Sequence, residues 1–279
     1  MADSDSGARP GVGALFNAVA DDYDQSGVDF FAPIAQGLVD ELAPTSGERA
    51  VDLGCGRGAA TVLLTRGVGA TGSVVGLDLS EGMLAHARAD LDRQGLVVDL
   101  RVGDASEPDL PTGEFDIVAS SLVLFFLPEP RVALERWVHL LAPGGRIGLA
   151  TFGDQDPVWG SVDREFRPWL PPAMRDPRVM GPQSHFGSDE GMEQLLSDAG
   201  ATDVRTRSVR LPVRFGTVER WEAFSRGTGQ RAMWASVPPD EVAGVRDRAA
   251  AHLEGARNGH GEIEVWQDIR YTLGGRPHP

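Results

Sequence analysis

At 279 residues and 41% hydrophobic content, the chain can fill one generous domain or a domain with a lid; its lone cysteine, Cys55, excludes an internal disulfide framework. Its 41 acidic and 26 basic residues give a net charge of −15, which repels phosphate backbones and anionic membranes, so neither nucleic acid nor membrane is an expected partner. Every basic residue is arginine, as a GC-rich coding bias would produce without any chemistry; the alternative is selection for the bidentate contacts that arginine makes better than lysine.

Residues 1–12 are polar and aperiodic and read as a disordered tail, without the basic and then apolar segments of a secretion signal, so a cytoplasmic location is expected. From Leu15 to Leu42 apolar residues recur at helical spacing with a polar break at Asp24–Gly27, which predicts two helices, a lid over 13–45 ahead of any sheet. Pro44–Gly47 is a turn, and Arg49–Leu53 a buried strand entering a glycine cluster. There follow a helix at 59–66, a strand at 73–79, a helix capped by Ser80 and reaching 94, strands at 97–102 and 115–120, a helix at 131–141 and a strand at 147–152. The run Ile117–Leu127, broken by Ser120 and Ser121, is too short to cross a bilayer and reads as a strand and its exit loop.

Such alternation calls for a doubly wound α/β fold, a Rossmann-like core over 46–153 with a parallel sheet and a ligand site beyond the carboxyl ends of its strands. The proline-rich stretch Asp156–Pro182 reads as irregular, a cap insertion over 154–187. The rest, 188–279, returns to the core: a helix capped by Ser188, a strand at 203–211, cap helices near 218–224 and 239–253, and a last strand at 263–272 expected to enter antiparallel.

The chemistry concentrates in Val51-Asp52-Leu53-Gly54-Cys55-Gly56-Arg57-Gly58. Glycine is needed where backbone approaches a ligand or takes positive φ. Dinucleotide enzymes space theirs G-x-G-x-x-G for a pyrophosphate, whereas here the spacing is G-x-G-x-G, and the preceding Asp52 suits an ammonium group better than a phosphate. This stretch resembles motif I of the class I S-adenosylmethionine-dependent methyltransferases. Four more match in order: Leu77-Asp78-Leu79-Ser80, Gly103-Asp104-Ala105, Phe115-Asp116-Ile117-Val118 with its exit, and Leu141-Ala142-Pro143-Gly144-Gly145-Arg146. The run Phe16-Asn17-Ala18-Val19-Ala20-Asp21-Asp22-Tyr23-Asp24 is similar to the opening helix of the ubiquinone-biosynthesis-like, small-molecule branch.

The resemblance implies S-adenosylmethionine as cofactor, held by Tyr23, Asp52, Gly54, Cys55, Gly56, Asp78, Leu79, Met83, Asp104, Ala105, Ser120 and Ser121. Within that set Asp78 would accept the ribose hydroxyls, Asp104 the adenine amino group, and Tyr23 would close over the methionine end. Phe125-Phe126 stands where many relatives carry a His-His pair, so any base from that loop is missing. His185, at the end of the proline-rich stretch, is the candidate general base, and Phe126, Trp159 and Trp234 are the candidate pocket for a small apolar or aromatic acceptor. No metal constellation is present. Methyl transfer to an oxygen, nitrogen or carbon nucleophile is thus expected, in secondary metabolism, by a monomer or homodimer. A cofactor-retaining cyclase, isomerase or regulatory subunit is the alternative, and a nicotinamide oxidoreductase conflicts with the glycine spacing.

Overall fold

In the computed structural model, which describes residues 11–170 and 184–277, a seven-stranded sheet carries helices on both faces. The first ten residues of the expected tail, residues 171–183 of the expected cap insertion and the last two residues lie outside the described residues. Two helices, α1 (Val12–Val19) and α2 (Phe31–Leu42), precede β1 (Arg49–Leu53). Then come α3 (Ala59–Val68), β2 (Ser73–Asp78), α4 (Glu81–Arg93), β3 (Asp99–Val102), β4 (Phe115–Ser121), α5 (Pro130–Leu140) and β5 (Leu141–Gln155). Two of these helices begin where the sequence supplies a start signal: Ser80 Oγ accepts the Met83 N–H to cap α4, and Pro130 opens α5 where its missing N–H costs nothing.

The strand order is β3-β2-β1-β4-β5-β7-β6, where β6 is Thr202–Gly216 and β7 is Ile263–Gly275. Strands β1 to β5 pair in parallel, and β7 runs antiparallel to both β5 and β6. Chain order reverses between β1 and β4, so the crevice of a doubly wound sheet opens beyond their carboxyl ends. Below it, β1 is buried from Ala50 to Leu53, the continuous apolar run that a two-sided parallel sheet requires.

Three expectations need correction. Strand β5 begins six residues before the expected Ile147, because the Pro143-Gly144-Gly145 turn is absorbed into a strand whose register shifts against β4 between Phe115 and Ile117. Strand β6 runs through Pro212 to Gly216, which its position at the sheet edge permits, since an edge proline removes no needed ladder bond. The stretch after Asp156 is not irregular throughout: α6 (Pro157–Phe166) is a capped helix, with Asp156 Oδ1 accepting the Val158 N–H at 3.0 Å and Pro157 at its first turn. Pro157 resembles a breaker in sequence and acts as a starter here, while Trp159, Val162 and Phe166 form a buried helical stripe. The remaining helices are α7 (Asp189–Asp198), α8 (Val218–Arg226), α9 (Arg231–Ser236) and α10 (Val242–Glu254). The six-residue α9 had no periodic signal to find, since Trp234 is its single buried residue.

Asp163, on α6, is half-buried, and burial pushes its carboxyl up to about 6 against the lowering effect of a hydrogen bond with Gln155. A raised folded-state value means that the folded chain holds the proton more tightly, so stability falls as pH rises from about 4 to 6 and stays reduced above it. Asp163→Asn is therefore expected to raise stability at pH 7 by about 1–2 kcal/mol, and to make no difference near pH 3.5, in urea denaturation followed by circular dichroism.

Candidate functional site

Between β1 and α3 the chain turns through Gly54, Gly56 and Gly58, at φ of +76°, +52° and +86°. The Gly54 and Cys55 N–H groups both donate to the Leu77 carbonyl, tying the turn to the end of β2. A Cβ at Gly54 would lie 2.4 Å from a Val123 methyl, whereas one at Gly56 would meet nothing within 4 Å. Gly54 is thus packed from behind and Gly56 borders open space. Cys55 is buried, and burial pushes its thiol well up, which makes it an inert packing group.

Two carboxylates flank this turn. Asp52 is 1% exposed; its Oδ2 accepts the Thr61 hydroxyl at 2.6 Å, while its Oδ1 is buried with no partner among the described residues. Burial, opposed by the Thr61 bond, pushes its carboxyl up to about 6. A buried acceptor atom without a donor is costly, and it suits a ligand that brings one. Asp78 is fixed by backbone: its Oδ2 takes the Gly56 N–H at 2.7 Å and its Oδ1 the Ser80 N–H at 2.9 Å. Burial again raises its carboxyl. Each oxygen keeps a lone pair free for a further donor. Next to it Leu79 is 41% exposed, and Val102, in register with Asp78 on the neighbouring strand, is 60% exposed. Apolar surface is thus left open at the carboxyl ends of β2 and β3.

Helix α1 and the turn after it dock over this edge, in part through Asn17 and Arg57, which the sequence did not single out. Asn17 Oδ1 accepts from the Ser80 hydroxyl at 2.6 Å and from the Gly82 N–H at 3.0 Å. Arg57, inside the glycine turn, donates to the Tyr23 carbonyl at 2.6 Å, and His86 meets Asp21 at 2.9 Å. Met83 is buried with Val19 and Ala20, and Phe16 and Tyr23 pack against them. Burial first, then the charges of Asp24 and Asp78, raise the Tyr23 hydroxyl.

The other residues fall as follows. Asp104 Oδ1 accepts the Ser106 N–H at 2.7 Å, an Asx turn, and the buried Ala105 offers its carbonyl to Trp137. The Ser120 hydroxyl donates to the Leu53 carbonyl at 2.8 Å, bracing β4 against β1, and Ser121 is half-buried beside it. His185 is exposed in a short 3-10 turn, and its imidazole bonds to no described residue. Trp159 is packed edge-on against Phe215 in the core, and Trp234 donates to Ser225 while packing on Phe166 and Trp221. Trp159 is thus separate from the wall to which Phe126 belongs.

That wall is a closed circuit of ring contacts. From Phe16 it passes to Tyr23 and Phe31, then through Phe30 to Phe152, and returns through Phe125 and Phe126 to Phe16, with centroids 4.7–6.3 Å apart. All but Phe30 are half-buried, so part of each of these side chains stays accessible, as it would not in a core. Arg270, itself buried, holds one side in place by donating to the carbonyls of Phe152 and Phe186, both at 2.8 Å. Phe125 and Phe126 were legible as the exit of β4; the partners that complete the circuit come from three other segments.

Residues 51–149 match the methyltransferase domain family. Over 275 residues the chain is 32% identical to the nocamycin O-methyltransferase of Saccharothrix syringae, covering 93% of this chain and 96% of that one. It is 37% identical over 171 residues to the aklanonic acid methyltransferase DauC of Streptomyces sp. (strain C5), covering 61% of this chain and 78% of that one. Among solved structures, the YcgJ protein from Bacillus subtilis superposes with a TM-score of 0.60 at 17% identity, over 88% of this chain and 99% of that one, a likeness of fold alone.

Proposed function

From the premise that the chain belongs to the class I S-adenosylmethionine-dependent methyltransferases that act on small molecules, we propose that it methylates a flat, largely aromatic metabolite held inside the ring circuit. The observation that carries this reading is the circuit itself: half-buried rings from four segments in edge and stacked contact, with Tyr23 of the lid turn among them. Pockets of this kind bind mainly by burial, and flat rings bind flat ligands by offset or edge contacts. The relatives named for nocamycin and aklanonic acid support an acceptor from secondary metabolism.

The residues around the glycine turn fit the cofactor. Asp52 Oδ1 would take a donor from its ammonium end, Asp78 the ribose hydroxyls, and Leu79 and Val102 would cover the faces of its adenine. When bound, S-adenosylmethionine supplies an already activated methyl group for in-line transfer. The chain then has mainly to align and to dry the site. Alignment is worth roughly 7–11 kcal/mol in well-oriented systems. The α1 lid, fastened by Asn17 and Arg57, brings Tyr23 and Phe16 over the crevice and keeps water out. With Phe125-Phe126 in place of a base and His185 exposed, the reading favours an acceptor that ionises readily by itself.

Two measurements test this. Mass spectrometry of reactions with planar aromatic and with aliphatic acceptors is expected to show methylated product in the aromatic set; product only in the aliphatic set overturns the reading. Calorimetric titration with S-adenosylhomocysteine at different pH tests the Asp52 role. An ammonium ligand needs the ionised carboxylate, and Asp52 ionises near 6 in the free protein, so affinity is expected to fall on acidification, on the order of tenfold from pH 7.5 to 5. Asp52→Asn should flatten most of that slope, with Asp78, raised in the same direction, supplying the remainder.

A further inference from the structure

The cofactor named above is a zwitterion at its amino-acid end, and the stretches that would form its site are unevenly charged. Residues 11–30 of the lid, 51–58 of the glycine turn, 77–83, 103–106 and 120–127 together carry eight acidic side chains and a single basic one, Arg57. Asp52 suits the ammonium group. A carboxylate brought out of water among so many like charges is costly unless a cation meets it, and Arg57 is the cation that these stretches supply.

The placing of Arg57 fits that task. It follows Gly56, where the turn borders open space, and it is half-buried. Its Nη1 donates to the Tyr23 carbonyl at 2.6 Å and to the Ala20 carbonyl at 3.4 Å, so the guanidinium lies between the glycine turn and the lid turn. Nε and Nη2 bond to no described residue, and no carboxylate among the described residues lies within ion-pair distance of the group. Two neighbouring N–H donors on one edge of a guanidinium form the fork that takes a carboxylate bidentately. Asp24 is close enough to respond to this charge: burial raises its carboxyl to about 6, against the lowering effect of Arg57. The other cations that touch the lid are engaged elsewhere, His86 with Asp21 and Arg231, at the start of α9, with the Ala18 carbonyl.

We propose that Arg57 is the ligand of the cofactor's carboxylate, and hence the residue that makes this chain select a cofactor with an intact amino-acid end. The proposal rests on the S-adenosylmethionine reading above and deepens it. Because the same guanidinium holds the Tyr23 and Ala20 carbonyls, a carboxylate seated on it joins the lid turn to the glycine turn. Binding energy from a part of the cofactor that does not react is thereby used to fasten the lid over the part that does.

The test is calorimetric titration of the full chain with S-adenosylhomocysteine and with 5′-deoxy-5′-(3-aminopropylthio)adenosine, which keeps the thioether and the ammonium group and lacks only the carboxylate. The parent is expected to prefer S-adenosylhomocysteine by roughly thirtyfold or more, the worth of a charged hydrogen-bonded pair. Arg57→Gln should weaken S-adenosylhomocysteine by roughly tenfold or more and the decarboxylated analogue by less than about threefold, so that the preference shrinks to about threefold. Arg57→Lys keeps the charge and loses the fork, and should retain an intermediate preference of roughly tenfold. A preference that survives Arg57→Gln undiminished, as it would if the guanidinium only latched the lid and both ligands lost equally, overturns the proposal. Should the glutamine variant fail to fold in a thermal melt, an undiminished preference in Arg57→Lys overturns it instead. Equal and measurable binding of the two ligands by the parent removes the Arg57 assignment alone, whereas binding of neither removes the cofactor reading with it.

Discussion

Asp78→Asn is expected to weaken S-adenosylhomocysteine binding by roughly 100-fold while leaving the melting temperature within a few degrees of the parent. The carboxylate holds the Gly56 N–H with one oxygen and the Ser80 N–H with the other, and so shapes both the glycine turn and the start of α4. An amide keeps one acceptor and turns an NH₂ toward a backbone donor. Hydrogen bonds to a charged group are worth about 1.5–3 kcal/mol each, and losing one in the turn and one to a ribose hydroxyl accounts for about two decades in affinity. Stability should behave differently. Burial raises the Asp78 carboxyl, so the ionised group costs folding energy at pH 7, and removing the charge offsets the lost turn bond. A purely structural Asp78 would instead show lower stability with unchanged affinity. Calorimetry and a thermal melt on the same sample distinguish the two, and unchanged affinity would remove Asp78 from the site.

Gly54→Ala should be the most destabilising single change in the turn, by roughly 2–5 kcal/mol in urea denaturation. Two causes combine. At φ +76° an alanine pays about 1–2 kcal/mol against a left-handed backbone, and its Cβ would sit 2.4 and 2.8 Å from the two Val123 methyls, an overpacking that costs about 1–3 kcal/mol. Val123→Ala in the same chain is expected to recover the second part and leave the first. Gly56→Ala gives the contrast. Its φ is +52° and its Cβ meets nothing within 4 Å, so only the backbone term of about 1 kcal/mol applies, while the methyl projects into the space where a cofactor would lie. Affinity should fall further than stability there. Equal losses of stability at Gly54 and Gly56 would contradict this account of the turn.

Much of the cofactor side was readable because its information is local. The Asp52 to Gly58 spacing, the Ser80 cap and the alternation of buried strands with capped helices are set by neighbours within one turn or one strand, and the structure places β1, β2 and α4 within two residues of the expected bounds. Where local signals were ambiguous the reading failed in a consistent direction. Prolines at the starts of helices, such as Pro157, resemble breakers, and Pro212 resembles a strand end until the sheet order shows it at an edge. Asn17, Arg57 and Arg231 carried no periodic or motif signal, because what they do is bond to backbone far away in the chain: Gly82, Tyr23 and Ala18.

By itself, then, the sequence determined the fold class, the glycine turn with its two carboxylates, and the likeness to small-molecule methyltransferases, all of which depend on residue types at short and fixed separations. Only the tertiary structure decided which aromatics face one another. Phe16, Phe31, Phe125 and Phe152 are each apolar positions in their own segments, indistinguishable there from core, and they become one wall because α1, the start of α2, the exit of β4 and the late part of β5 meet in the fold. Hydrophobic attraction carries no direction, so an apolar residue records that it is to be buried but not against what; the partner is chosen by the path of the backbone.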